Sequence, residues 1–178
     1  MRRDAARNYE RILDAARDVF GESGADACME EIAARAHVGV GTVYRRFASK
    51  DMLIDELLRL AIDEVVRAAE DALARTDGHG LEQLLRAFGR SLADHAQYAN
   101  LLLDRQPDPA ATSFILAATT ELTSRAVAAG TVSPEITADD VMALVSAMRG
   151  LVQSRRPFEP RAWERFLDIH LAGMRTAF

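Results

Sequence analysis

Proline placement is the feature of this sequence that most constrains its fold. The five prolines lie at positions 107, 109, 134, 157 and 160, so the first 106 residues contain none. Because proline disrupts a helix interior, long helices are allowed throughout that stretch. Apolar residues recur there at helical spacing, as in Ile12, Leu13, Ala16, Val19 and Phe20, whereas strand patterns are nearly absent. The pattern predicts an all-α protein with three shorter helices first and longer helices after about residue 50.

Composition places the chain among globular proteins and excludes several classes. Of the 178 residues 49% are hydrophobic and 28% charged, and the net charge of −5 excludes a wholly basic coat but not a local basic patch. Cys28 is the only cysteine, which rules out an intrachain disulfide framework and a multi-cysteine zinc site. The N-terminus lacks an apolar signal segment, and no apolar run approaches the ~18 residues of a membrane span. We therefore expect a cytoplasmic protein with no membrane partner, no metal and no cofactor.

One basic region interrupts this acidic chain. Residues 32–50 contain no Asp or Glu, and the cations of the segment are Arg35, Arg45, Arg46 and Lys50. On charge alone, a solvated basic surface is the simpler interpretation. The helical pattern of the same segment instead favours a DNA-binding surface, as the next observations show.

Two short helices are predicted in this basic region, at about 29–36 and 40–47. They are separated by a tight turn that Gly39 and Gly41 would permit. Two short helices with such a turn are typical of a helix-turn-helix, whose second helix enters the major groove of DNA.

Residues 29–53, MEEIAARAHVGVGTVYRRFASKDML, resemble the signature of the TetR family of transcriptional regulators. The matching positions are Ile32, Ala33, Ala36, Val38, Gly41, Thr42, Val43, Tyr44, Phe47, Ser49, Lys50 and Leu53. The preceding segment 10–27, ERILDAARDVFGESGADA, fits the first helix of that family. The sequence departs from the family at Cys28, often a threonine, and at Gly39, where a polar residue is common. Both departures weaken side-chain capping.

The resemblance implies a DNA-binding regulator in two parts. Residues 1–50 would form the helix-turn-helix domain, and residues 51–178 a larger helical domain that binds an effector and dimerises. The implied partners are a double-stranded palindromic DNA operator, an unidentified small-molecule effector and a second copy of the chain. The family favours a repressor that leaves its operator when the effector binds.

The resemblance also assigns roles to single residues of the second short helix and its surroundings. Those facing base edges would be Val40, Gly41, Thr42 and Arg45. Those contacting phosphates or the groove wall would be Tyr44, Arg46 and Lys50. The chemistry agrees, because arginine reads guanine with two donors, a threonine methyl contacts thymine, and hydroxyl and ammonium groups suit phosphate oxygens. For Tyr44 the alternative is a half-buried core aromatic.

The larger half is predicted to hold both a dimer seam and an effector pocket. The last two helices, at 137–154 and 160–176, have wide apolar faces, as expected for helices that meet their own core and a partner. The dimer seam is predicted at Val141, Val145, Met148, Val152, Trp163, Leu167, His170 and Met174; the alternative is a hairpin within one chain. The pocket is predicted at Leu57, Ala61, Phe88, His95, Tyr98, Thr119, Met142 and Arg149. A satisfied core histidine is the simpler interpretation of His95.

A second function class is a small all-helical enzyme with an unrecognised His/carboxylate site. Its candidate pairs are His95 with Asp94 or Asp104, and His170 with Asp168. No serine elbow, phosphate-binding loop or metal-ligand spacing accompanies them. Adjacent residues on a helix point apart, so Asp94 and His95 make a poor pair. The sequence therefore favours a regulator and not an enzyme.

Overall fold

Nine α-helices make up most of the part of the chain that the structure describes. The computed structural model describes residues 2–103, 105–154 and 161–175. The helices are α1 (Arg2–Ser23), α2 (Met29–Arg35), α3 (Val40–Arg46), α4 (Lys50–Leu73), α5 (Gly80–Asp94), α6 (Ala99–Leu103), α7 (Pro109–Ala128), α8 (Ala138–Ser154) and α9 (Ala162–Arg175). Short 3₁₀ turns precede α2 and α6, at Gly24–Asp26 and Ala96–Tyr98. No strand occurs within these described residues, which confirms the all-α prediction.

The helices pack as two units. The N-terminal unit comprises the described residues within 1–60 and 97–106, and the C-terminal unit those within 61–96 and 107–178. The division falls inside α4, after residue 60, whereas the predicted domain boundary after residue 50 coincides with the start of that helix. Segment 97–106 joins the N-terminal unit although it lies far along the chain. The assignment of functions to residues 1–50 and 51–178 stays a prediction.

The core of the N-terminal unit collects the apolar stripes of its helices. Ile12, Phe20, Ile32, Val43 and Leu53 are each at most 1% exposed. Burial of such side chains stabilises a fold by about 1.5–3 kcal/mol apiece, so the predicted stripes account for the packing.

Cys28 is the residue before α2, and its backbone N–H is capped by a side chain further along the helix. The Glu31 carboxylate accepts a hydrogen bond from the Cys28 backbone N–H, at 3.1 Å. This is one half of a capping box, which satisfies a donor at a helix start without a threonine.

The turn between α2 and α3 depends on His37 and not on the two nearby glycines. His37 adopts a left-handed φ of +52°, whereas Gly39 has an ordinary φ of −67° and Gly41 lies inside α3. The expectation that Gly39 and Gly41 permit the turn is therefore wrong. The Val38 N–H closes the end of α2 by donating to the Ala33 carbonyl, at 3.0 Å. Turns of this kind favour glycine at the left-handed position.

The C-terminal unit is built mainly from α5, α7, α8 and α9, which pack on one another. At its centre, Gly89 on α5 lies against the indole of Trp163 on α9. A Cβ added at Gly89 would lie 2.4 Å from the Trp163 Cε3, so only glycine fits this approach without movement. Trp163 is thereby part of the core of its own unit.

We predict that His37→Gly stabilises the protein. A non-glycine residue in the left-handed region costs about 1–2 kcal/mol, and a glycine avoids that cost. The greater conformational freedom of glycine in the unfolded chain offsets about 0.5–1 kcal/mol of the gain. The expected net gain is about 0.5–1 kcal/mol in the free energy of unfolding, measured by urea denaturation. His37→Ala is the matched control, because it keeps the strained Cβ and should gain nothing. A lower midpoint for His37→Gly would contradict the account.

Candidate nucleic-acid interface

Helix α3 has one buried face and one exposed face. Val43 and Phe47 at its end are buried in the N-terminal core. On the other face Val40 is 41% exposed and Tyr44 45% exposed, and the remaining exposed residues of the segment are Gly39, Gly41, Arg45 and Arg46. An aromatic residue exposed to this extent is not part of the core, so the alternative interpretation of Tyr44 is excluded. The structure thus brings the predicted α3 residues together on one surface, with Thr42 half-buried at its margin.

Thr42 and Arg45 form a pair on this surface. The Arg45 Nη2 donates a hydrogen bond to the Thr42 Oγ1, at 2.9 Å. The acceptor is uncharged, so the positive charge of Arg45 is not neutralised. The remaining N–H groups of the guanidinium suit the two acceptors of guanine.

Arg46 is held by aromatic rings. Its guanidinium carbon lies 4.7 Å from the centroid of the Tyr9 ring and 5.9 Å from that of Phe47. The two rings are themselves stacked, with centroids 6.0 Å apart and an interplanar angle of 25°. A cation over an aromatic face is attracted by the negative face of the ring.

A carboxylate on α4 completes this arrangement. The Tyr9 hydroxyl donates to Glu56, which also accepts hydrogen bonds from Arg59 Nε and Nη2 at 2.8 and 2.9 Å. Chiefly through the Arg59 hydrogen bonds, and further through Tyr9 and the nearby charge of Arg46, the pKa of Glu56 falls to about 2. Burial and the Glu56 contact raise the pKa of the Tyr9 hydroxyl. Glu56 is therefore charged, and Tyr9 neutral, throughout the physiological pH range.

Lys50 has bonds inside the protein that the sequence did not reveal. Its ammonium donates to the carbonyl oxygens of Ala25 and Ala27, at 2.6 and 3.1 Å. An ammonium has three N–H donors, so one remains for a phosphate. The predicted phosphate contact of Lys50 stays a prediction, beside a structural role that ties the start of α4 to the turn before α2.

Sequence reasoning missed two residues that lie beside Arg46, namely Tyr9 and Glu56. Tyr9 continues the apolar stripe of α1 one turn towards the N-terminus, so the spacing gave a signal for its packing. Its partner Glu56 is 47 residues away in the chain, and no local pattern links the two.

The predicted pocket residues are divided between the two units. Leu57 and Tyr98 belong to the core of the N-terminal unit. The others lie in the C-terminal unit, with Ala61, His95 and Thr119 buried, Phe88 and Met142 half-buried, and Arg149 exposed. His95 Nδ1 lies 2.6 Å from the Ser91 carbonyl oxygen, and Thr119 donates to that of Ile115 at 2.8 Å, so both polar groups are satisfied within their own helices. The pocket assignment stays a prediction.

The predicted dimer seam needs a correction. Six of its residues are buried within the single chain, at 8% exposure or less: Val141, Met148, Val152, Trp163, Leu167 and Met174. A side chain that its own subunit already covers has no surface for a partner. These residues therefore form the subunit core, whereas His170 is exposed and Val145 is half-buried.

The candidate catalytic pairs are engaged elsewhere. His170 Nδ1 lies 2.8 Å from the Phe166 carbonyl oxygen, and its ring packs on that of Phe166 with centroids 4.1 Å apart. Asp168 accepts a hydrogen bond from Arg86, at 2.8 Å. Asp94 is exposed, and Asp104 lies outside the described residues. His170 and Asp168 are thus each bonded to a group other than the one that the enzyme hypothesis pairs them with.

No helix in the described ranges has the length and apolar character that crossing a membrane requires. Helices α2 and α3, with their turn and the exposed cationic face, define a helix-turn-helix DNA-binding protein with a separate helical unit. Two family models place it more narrowly. Residues 12–57 match bacterial regulatory proteins of the tetR family, and residues 81–176, more than half of the chain, match the C-terminal domain of SbtR-like transcriptional regulators. The chain belongs to the TetR family and is a DNA-binding transcriptional regulator, as the sequence motif predicted.

Similar proteins agree with this assignment. The chain is 31% identical to a TetR regulatory protein from Mycobacterium vanbaalenii, with a TM-score of 0.68 over 98% of this chain and 99% of the other. It is 30% identical to the TetR regulator SCO0520 from Streptomyces coelicolor, with a TM-score of 0.68 over 95% and 99%. It is also 37% identical over 75 residues to the HTH-type transcriptional regulator SAR0097 from Staphylococcus aureus (strain MRSA252). That match spans 41% of this chain and only 39% of the curated relative. TetR-family regulators are transcription factors and not enzymes.

We predict that Lys50→Met lowers the free energy of unfolding by about 1–3 kcal/mol. The substitution keeps the apolar stem but removes a charged donor from two carbonyl groups, and hydrogen bonds to charged groups are in this range. Urea denaturation followed by circular dichroism measures it. Arg45→Met is the control, because that side chain bonds only on the exposed surface and should cost less than about 0.5 kcal/mol. If both variants lost the same small amount of unfolding free energy, the structural role assigned to Lys50 would be contradicted.

Proposed function

We propose that the protein is a ligand-responsive repressor. It binds a palindromic DNA operator as a homodimer and leaves it when a small molecule binds. The proposal is supported above all by α3, which exposes a cationic, acid-free face opposite a firmly packed apolar one. DNA binding is assigned to residues 1–50, and effector binding and dimerisation to residues 51–178. Release by an effector and repression are typical of the TetR family, and membership of the family supports this part of the proposal.

The proposed reading of DNA separates specificity from anchoring. Base edges would meet Val40, Gly41 and Thr42 in the first turn of α3, and Arg45 near its end. Phosphates would meet Tyr44, Arg46 and Lys50. Gly41 has open space around it, since a Cβ added there meets only the Arg45 Nη1, at 3.8 Å. This openness supports a close approach of the α3 backbone to DNA.

The proposed dimer uses faces of α8 and α9 other than those predicted from the sequence. The exposed face of α8 carries small residues at helical spacing, namely Ala143, Ser146, Ala147 and Gly150. On α9, Ile169 is 59% exposed. A Cβ added at Gly150 of α8 or at Gly173 of α9 would meet no atom of the rest of the described chain within 4 Å. Small side chains allow close helix approach, and a two-fold axis would join the two pairs into a four-helix bundle.

The effector is proposed to bind in the C-terminal unit. Two surface grooves of this unit, of about 550 and 560 Å³, contain none of the predicted pocket residues. The first is lined by charged residues that include Arg75, Arg86 and Arg90, and it is open to solvent. Neither groove resembles the enclosed apolar cavity that small-molecule effectors usually need, so the proposal does not place the effector there.

We predict that Arg45→Ala relaxes DNA sequence preference. The probe is a duplex selected by the unmodified full chain from a random-sequence pool, compared with a scrambled duplex across a salt series. The variant should lose about 1–3 kcal/mol on the selected duplex and much less on the scrambled one. Arg35→Ala is the control, because that arginine lies on α2 and pairs with Glu22. Equal weakening on both duplexes would make Arg45 a phosphate contact. A reporter promoter carrying the selected duplex should be silenced by the unmodified chain.

We predict that Ile169→Glu converts dimers to monomers. A carboxylate placed in an apolar interface costs about 3 kcal/mol or more, which is a loss of roughly 100-fold or greater in dimer affinity. Sedimentation at micromolar concentration measures the effect. Met52→Glu is the matched control, since Met52 is 51% exposed but lies on α4, and it should remain dimeric. A dimeric Ile169→Glu variant would exclude this face, and a monomeric unmodified chain would exclude the homodimer itself.

A further inference from the structure

Tyr9 joins three helices of the N-terminal unit through one side chain. Its hydroxyl donates to Glu56 on α4, and its ring stacks on Phe47 directly after α3. The same ring carries the guanidinium of Arg46, the last residue of α3, 4.7 Å from its centroid. Tyr9 is only half-buried, so it stands at the boundary between the core and the exposed face.

The contact between Tyr9 and Arg46 leaves the donors of the arginine available. A cation–π contact uses the flat face of the guanidinium, whereas hydrogen bonds to a phosphate use its N–H edge. Arg46 donates no hydrogen bond and makes no close ion pair within the described part of the chain. Its edge is therefore free while its face is held.

Glu56 does not capture this edge. The carboxylate accepts from Tyr9 and twice from Arg59, so its acceptor capacity is largely filled by those partners. It attracts Arg46 through its charge without bonding it. The arginine is thus restrained near one orientation instead of sampling many rotamers, and the ordering cost of phosphate binding is reduced in advance.

We propose that Tyr9 is a positioning residue for DNA binding, whose ring orients the Arg46 guanidinium with its N–H edge towards an operator phosphate. This inference rests on the proposed function, because it requires that α3 binds DNA. It assigns to α1 a part in operator affinity that does not depend on base sequence.

The test compares Tyr9→Leu, which removes the ring, with Tyr9→Phe, which keeps the ring and loses only the hydroxyl. Both are made in the unmodified full chain and in an Arg46→Ala background. Binding is measured to the selected and scrambled duplexes described above, across a salt series. Tyr9→Leu should weaken binding to both duplexes about 5–10-fold and reduce the salt slope by at most about 1. The affinity of Tyr9→Phe should stay within about 2–3-fold of that of the unmodified chain.

Non-additivity separates positioning from simple packing. In the Arg46→Ala background, Tyr9→Leu should cause no further loss, because the side chain that it orients is absent. In an Arg45→Ala background the loss should appear in full, since the guanidinium over the Tyr9 ring is that of Arg46, whereas Arg45 donates to Thr42. An undiminished loss in the Arg46→Ala background would overturn the inference and leave a purely structural role.

Two further outcomes are distinguishable. If the unmodified chain selects no duplex, the proposed function fails and the inference falls with it. If the chain selects a duplex but Arg46→Ala binds it unchanged, the inference and the phosphate contact assigned to Arg46 fail, while DNA binding by the chain stands. Should Tyr9→Leu unfold, Tyr9→Met replaces it, and the ring-current shift of the Arg46 Nε–H signal gives a second readout. That shift should be present in the unmodified chain and in Tyr9→Phe, and it should fall in Tyr9→Met to the smaller contribution of the more distant Phe47 ring. A shift unchanged in Tyr9→Met would overturn the inference.

Discussion

Burial of Val43 and Phe47 decides where every exposed residue of α3 points. A helix of seven residues has no independent stability in water, because nucleation is costly and few backbone bonds follow it. The orientation of α3 is therefore set by its packing on the N-terminal core, in which Val43 has no exposed surface. Once that face is fixed, helical geometry directs Tyr44 and Arg45 away from the core. The same burial brings Phe47 against Tyr9 and so places Arg46 above the Tyr9 ring.

The distribution of ion pairs explains how an acidic protein keeps a cationic surface. Outside α3, many arginines pair with acids of the chain, among them Arg17, Arg35, Arg59, Arg86, Arg105, Arg125 and Arg175. Such exposed pairs add little stability, but they neutralise local charge. Residues 32–50 hold no acid, and the polar and aromatic partners of Arg45 and Arg46 are uncharged. The positive potential is therefore concentrated where a polyanion would bind.

The sequence was sufficient for the helices and for the exposed face of α3, but not for the exposed faces of α8 and α9 that are proposed to meet a partner. Apolar periodicity identifies a buried stripe. In α8 and α9 the large residues of that stripe, such as Met148 and Leu167, are buried in the core of their own subunit. The faces left exposed carry small residues, including Ala147 and Gly150, whose pattern is weak on any hydrophobicity scale. The Lys50 bonds to Ala25 and Ala27 were also invisible, because they join residues more than 20 positions apart. A periodic pattern reports burial within an element and says nothing about which element covers it.

Segment 97–106 adds a constraint on any effector response. Tyr98 is buried in the N-terminal core, and Arg105 donates to Asp51 and to Asp55, the latter at 3.0 Å. This segment thus belongs to the unit that carries α3, although the chain on both sides of it belongs to the C-terminal unit. Within the proposed function, α4 is one covalent route by which an effector could act on α3. Segment 97–106 is a second route, because it connects α5 to α7 along the chain. Its Tyr98 and Arg105 are held by the N-terminal unit, so a displacement of α5 or α7 would pull on residues of that unit.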